Sequence, residues 1–225
     1  MPRQIHSQMP LEAIEEEILF TQAALESDED ARDLAPLAAG WLGRLDEVRG
    51  ADRELRQAAM RTNARRVIAN GRLDDACSRF ADELWLDTGK SSDSPRWSRY
   101  FARSASQFIR QALGKQVAVV RGWLSGPGDA VLEKHRAELS RWVDAADAAV
   151  VETRAMTVRR GELWLGRETL AEDLTRERDG VHEALSARGR ERGLGRDWPG
   201  RFFLVGDGRP APKATTPSAV EGEGE

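Results

Sequence analysis

The chain has one cysteine, Cys77, in 225 residues, so an intramolecular disulfide is excluded. Cys77 reads as a small apolar residue on a helix rather than as a reactive thiol. Histidine is nearly as scarce: His6, His135 and His182 lie far apart in the chain. Glu-x-x-His pairs, which a carboxylate-bridged metal centre in a helical bundle requires, are missing, and a zinc cluster lacks its ligands. No metal and no cofactor is expected. There is no Gly-x-Ser-x-Gly elbow, no P-loop and no Gly-x-Gly-x-x-Gly turn after a strand, and Cys77 has no histidine near it in sequence. The reading is therefore non-enzymatic. No apolar run approaches the roughly 18 residues of a membrane span. Residues 1–10 lack the apolar core of a signal peptide, so cytoplasm is the expected compartment. No segment alternates with period two, and no sheet is expected.

Lysine is scarce too. Only four of the 34 basic residues are lysines: Lys90, Lys115, Lys134 and Lys213. Together with abundant Ala and Gly, this bias is that of a GC-rich bacterial genome, so the arginine content is partly codon usage. Hydrophobic content of 40% and charged content of 32% fit a protein rich in solvated helix surface. The net charge of −4 means that any binding of a polyanion must come from a local patch.

Such a patch follows from another scarcity. Between Ser94 and Gly128 there is no Asp or Glu, whereas Arg96, Arg99, Arg103, Arg110, Lys115 and Arg121 all fall there. On a single helix the five arginines occupy roughly a 60° arc, opposite Phe101, Phe108, Ile109, Leu113, Val117, Val120 and Leu124. The ridge would run about 38 Å from Arg96 to Arg121. Nucleic-acid phosphates are one candidate occupant, with Trp97 and Tyr100 placed to stack on bases. An acidic protein partner or a membrane is a second, and an intramolecular or self-association contact is the third. Residues 11–33 carry nine acids (Glu12, Glu15, Glu16, Glu17, Glu26, Asp28, Glu29, Asp30, Asp33) against Arg32 alone. An acidic helix beside a basic one accounts for both biases without a ligand.

The remaining signals are helical. Pro10 suits a first helical position ahead of Leu11, Ile14 and Ile18. Ser27 with Asp30 resembles a capping box, and Pro36 kinks or restarts the following segment. Leu37, Trp41, Leu45 and Val48 form a stripe up to Gly50. Residues 51–86 contain no proline and read as one helix of about 54 Å with a thin, Ala-rich stripe. Ser94-Pro95 starts the ridge helix, and Ser125-Gly-Pro-Gly128 is the clearest turn. A heptad-like stripe then runs from Leu132 through His135, Leu139, Trp142, Ala146, Ala149, Thr153, Met156 and Arg160 to Leu163. A final helix uses Leu170, Leu174, Val181 and Leu185 and frays over 189–196. Residues 198–205 form a short apolar tail that can dock on the bundle, and 206–225 read as a disordered acidic tail.

Two anchors repeat at nearly one offset. Glu83-Leu-Trp-Leu86 recurs as Glu162-Leu-Trp-Leu165, 79 residues on, and Trp41-Leu42 recurs as Trp123-Leu124, 82 residues on. They suggest a helix–turn–long-helix unit used twice, roughly 10–90 and 94–170. The stretch from Ala64-Arg-Arg to Glu83 and the run 94–116 resemble segments of uncharacterised all-helical proteins from GC-rich bacteria. That resemblance implies a fold and no activity.

The expectation is an all-α, elongated bundle of about five long helices: two duplicated hairpins plus a C-terminal helix, forming one domain over 1–205. The leading function is a helical scaffold or adaptor acting through a protein partner or self-association. The alternative is a nucleic-acid-binding module using the ridge.

Overall fold

The computed structural model describes residues 2–204. Among them are six α-helices, two 3-10 segments and no strand, so the chain is all-α. The helices are α1 (Leu11–Ser27), α2 (Trp41–Asp87), α3 (Pro95–Tyr100), α4 (Ala105–Ile109), α5 (Leu113–Ser125) and α6 (Ala130–Glu191). The 3-10 segments are Arg32–Ala38 and Trp198–Phe202. The expected disordered tail lies outside the described residues.

α6 is one helix of 62 residues. The stripe ending at Leu163 and the pattern beginning at Leu170 therefore belong to a single element, and there is no separate C-terminal helix. Gly161 and Gly166 make this span look interruptible. A glycine inside a helix costs only about 1 kcal/mol, however, and no proline lies between them to remove a hydrogen bond. The long helices stop where a left-handed residue is available. Gly89 (φ 66°) ends α2 and Gly193 (φ 68°) ends α6. In each case the next amide donates back five residues, Lys90 N to Trp85 O at 2.8 Å and Leu194 N to Gly189 O at 2.8 Å. The residue before donates to the following carbonyl, which completes a Schellman stop at both ends.

The chain divides into two compact units. One comprises 1–49 and 165–225, the other 50–164. The first unit centres on α1, the start of α2 and the end of α6, with Ile14, Ile18, Leu25, Trp41, Leu45, Leu174, Val181 and Leu185 in its core. The apolar tail docks here through Trp198, Phe202 and Phe203. Trp198 Nε1 donates to Asp28 Oδ2 at 3.1 Å, so the residue that ends α1 also holds the tail. The cap differs from the expected capping box. Ser27 donates back to Ala23 O, and Asp28 Oδ1 accepts from the Asp30 amide at 2.8 Å. A fully buried ion pair crosses this core: Arg178 Nη2 donates to Glu17 Oε2 at 2.5 Å and Arg178 Nη1 to the Arg3 carbonyl at 2.9 Å. Burial pulls the Arg178 guanidinium below its ordinary value, with Glu17 opposing.

The second unit packs α3, α4 and α5 against the C-terminal part of α2 and the N-terminal part of α6. Phe80 is its hub, with Tyr100 edge-on at 5.0 Å, Trp123 at 5.7 Å and Phe101 at 6.0 Å. Both copies of the tetrapeptide repeat lie on long helices, but their environments differ. Trp85 packs on Trp97 at 5.1 Å, whereas Trp164 is exposed.

Candidate interaction surface

The arginine-bearing stretch is not one helix. It folds as α3, α4 and α5, separated by extended residues at Phe101, Ser104 and Ala112. The cause is aromatic. Tyr100, Phe101 and Phe108 must all reach the Phe80–Trp123 cluster, and one straight helix cannot present them to it together. The sequence held the signal for the break: Ser104-Ala-Ser-Gln107 is a capping pattern, and Ser104 Oγ accepts from the Gln107 amide at 3.2 Å. Gln116 then ties the turns together by donating to the Ile109 and Gln111 carbonyls at 2.8 and 3.0 Å.

The candidate residues consequently separate. Trp97 and Tyr100 are buried, and their rings belong to the core rather than to a stacking platform. Arg96 clamps Asp129, with Nε and Nη2 at 2.9 and 3.0 Å, and also meets Asp87. These two carboxylates hold its guanidinium well above its ordinary value. Asp129 in turn caps α6, accepting from the Val131 amide at 2.9 Å, and Arg96 keeps its carboxyl below the usual range. Arg121 meets Asp147 at 2.7 Å and Asp144 at 3.6 Å. Arg99, Arg103 and Arg110 are exposed, and among the described residues none has a carboxylate within ion-pair distance. The acidic run 11–33 has its own partners: Glu15 with Arg49, Glu17 with Arg178, Asp30 with Arg192 and Asp33 with Arg188. Pairing within the chain thus occurs for both charged runs, with partners other than each other.

Cys77 is buried and its thiol is pushed up to about 12 by burial, with Asp74 adding to the shift. His135 Nε2 sits 2.9 Å from Glu83 Oε2 and packs on Phe80. No group of three or more metal-ligating side chains occurs among the described residues. No helix among them is long and apolar enough to cross a membrane.

A different surface stands out in the second unit, where α2 and α6 run antiparallel. Arg65–Glu152, Arg79–Glu138 and Lys134–Glu83 fix their register. Between Leu45 and Ala69, α2 buries only Thr62, and between Ala149 and Leu170, α6 buries only Met156. In these stretches the apolar side chains point outward instead. Met60, Val67 and Ile68 on α2 and Val151 and Val158 on α6 are 57–73% exposed. Met60–Val67 and Val151–Val158 are each seven residues apart, which puts each pair on one helix face. An apolar groove of about 240 Å³, lined by Ile68, Ala69, Trp142, Ala145 and Ala149, lies at the inner end of this segment. Sequence reasoning found the thin stripe from Leu55 to Leu84 but not the outward one. The only signal was a second seven-residue spacing on the same helix. Comparison of the chain with protein-family models, curated proteins and solved structures gives no match, so these residues carry the functional argument unaided.

Proposed function

We propose that the protein is a non-enzymatic helical scaffold acting through protein–protein contacts, with a second copy of itself as the first partner. One observation carries this reading: the segments 50–68 and 150–164 leave heptad-spaced apolar side chains in solvent while burying almost none. Contiguous exposed apolar faces of this kind mark interaction sites. Charge supports the second copy. At helical-neighbour positions around the α2 stripe stand Arg53, Arg56, Arg61, Arg65 and Arg72 against Asp74 and Asp75. Around the α6 stripe stand Asp144, Asp147 and Glu162 against Arg154. Arg121 meets Asp144 and Asp147, and Glu152 meets Arg65, within the chain; with those partners counted, the α2 side stays basic and the α6 side acidic. The basic α2 face of one copy complements the acidic α6 face of the next, a heterologous contact.

A charge placed in either stripe tests it. Val67→Glu, set against the acidic α6 face, and Val158→Lys, set against the basic α2 face, each spoil one face, and both positions are exposed, so helicity should persist. Each variant alone should be monomeric by sedimentation. An equimolar mixture should form a dimer that grows no further, because each variant keeps one intact face. A mixture that stays monomeric excludes the heterologous contact.

The exposed, unpaired Arg99, Arg103 and Arg110 favour a second reading, nucleic-acid binding. It predicts binding of mixed-sequence DNA or RNA whose affinity falls linearly on a log–log salt plot. Changing all three to Glu should abolish that binding; equal binding by the variant would remove this reading.

A further inference from the structure

The same antiparallel pair holds a second groove, polar where the first is apolar. It has a volume of about 320 Å³ and is lined by Ala59, Thr62, Asn63 and Arg66 of α2 and by Thr153, Met156, Thr157 and Arg160 of α6. The two helices contribute the same spacing, i, i+3, i+4 and i+7, and each ends on an arginine. We propose that this groove binds a diphosphate group, clamped between Arg66 and Arg160.

The geometry follows from the register. The ion pair Arg65–Glu152 and its two companions place Arg66 level with Val151 and Arg160 level with Gln57. The two arginines therefore stand at opposite ends of the groove, about 13 Å apart along the helix axis. Helical side chains lean toward the N-terminus of their own helix. In an antiparallel pair, both arginines then lean inward over the groove. Arg66 does so visibly, donating from Nη2 to Asn63 Oδ1 at 3.3 Å. Neither arginine has a carboxylate within ion-pair distance among the described residues, and Glu152 pairs with Arg65.

The lining favours phosphate over carboxylate. Thr62 supplies a hydroxyl and Asn63 an amide beside the two guanidiniums, while the Thr153 hydroxyl already donates to the Ala149 carbonyl at 2.8 Å. Thr157 donates to the Thr153 carbonyl at a long 3.4 Å, a bond readily exchanged for a ligand oxygen. Two guanidinium forks entering from opposite ends match two linked phosphates better than one, since each fork can take its own phosphate in bidentate fashion. The volume lies at the lower end of small-ligand sites.

Isothermal titration of the full chain with inorganic pyrophosphate, without magnesium and at low ionic strength, tests the site. The expected result is saturable binding at one site per chain, with orthophosphate weaker than pyrophosphate and acetate without effect. Arg66→Gln and Arg160→Gln should each weaken pyrophosphate by about tenfold or more, the loss expected for one charge-assisted contact. Arg159→Gln, one residue outside the lining, should leave it unchanged. Adenosine diphosphate separates the sources of the group: binding as tight as pyrophosphate identifies a nucleotide, and binding of pyrophosphate alone identifies the inorganic anion. Absence of saturable binding, equal binding of acetate, or indifference to both Arg66→Gln and Arg160→Gln overturns the proposal.

Discussion

Asp74 shows how much one side chain can depend on a proton. Its Oδ2 accepts from Asn70 Nδ2 at 2.7 Å, but its Oδ1 is buried without a donor. Burial raises the carboxyl above its ordinary value, with neighbouring Asp75 adding to the shift and the hydrogen bonds from Gln116 and Asn70 opposing it. A folded-state value above the unfolded one gives stability that is complete below the unfolded value and lost as pH rises through the folded value. Asp74→Asn carries no charge at any pH. The variant should lose less stability than the parent as pH rises from about 4 toward neutrality, read from urea midpoints. Parallel loss in both proteins would contradict the raised carboxyl. Glu17 and Arg178 set the opposite case. Both are buried, so Glu17→Ala leaves an uncompensated guanidinium and should cost about 3–5 kcal/mol. Arg192→Gln breaks a surface pair with Asp30 and should cost less than about 1 kcal/mol, measured by the same unfolding curves. At this scale the sequence was partly legible. It marked Cys77 and His135 as packed rather than reactive. It did not mark the partners of Arg96, because Asp87 and Asp129 are distant in sequence and are brought together only by the fold.

At the scale of the element, long helices were readable where apolar spacing and the absence of proline agreed, as over 51–86, although α2 also takes in the Trp41–Val48 stripe that was read as ending at Gly50. The errors fell where tertiary packing competes with local periodicity. The arginine ridge satisfied a helical wheel, yet the Phe80–Trp123 cluster breaks it into three helices, and Ser104 caps the second. Ser104→Ala should therefore cost about 1 kcal/mol, and amide exchange should rise over 105–109 before it rises in α5. α6 erred the other way, being read as two helices where there is one. Its middle has so little core that the pattern loses contrast near Leu163. The same lack of core gives a kinetic expectation. Amides at 52–66 and 151–163 should exchange faster than those at 73–84 and 139–146, which carry Leu73, Phe80, Leu139 and Val143. Uniform protection along both helices would mean that something already covers the exposed stripes.

For the whole molecule, each of the two units has its own core, and the overall charge is a modest −4. The fold class was legible from composition and periodicity. The exposed apolar stripes were not, because exposure depends on which of two stripes on a helix packs within the chain. The scaffold reading rests on the stripes of Met60, Val67 and Ile68 and of Val151 and Val158 meeting those of another copy. Light scattering on the intact chain, over a hundredfold range of concentration and at two ionic strengths, tests this most directly. The expected mass rises with concentration and falls back as salt screens the opposed charges. A monomer mass at every concentration and both ionic strengths would contradict it.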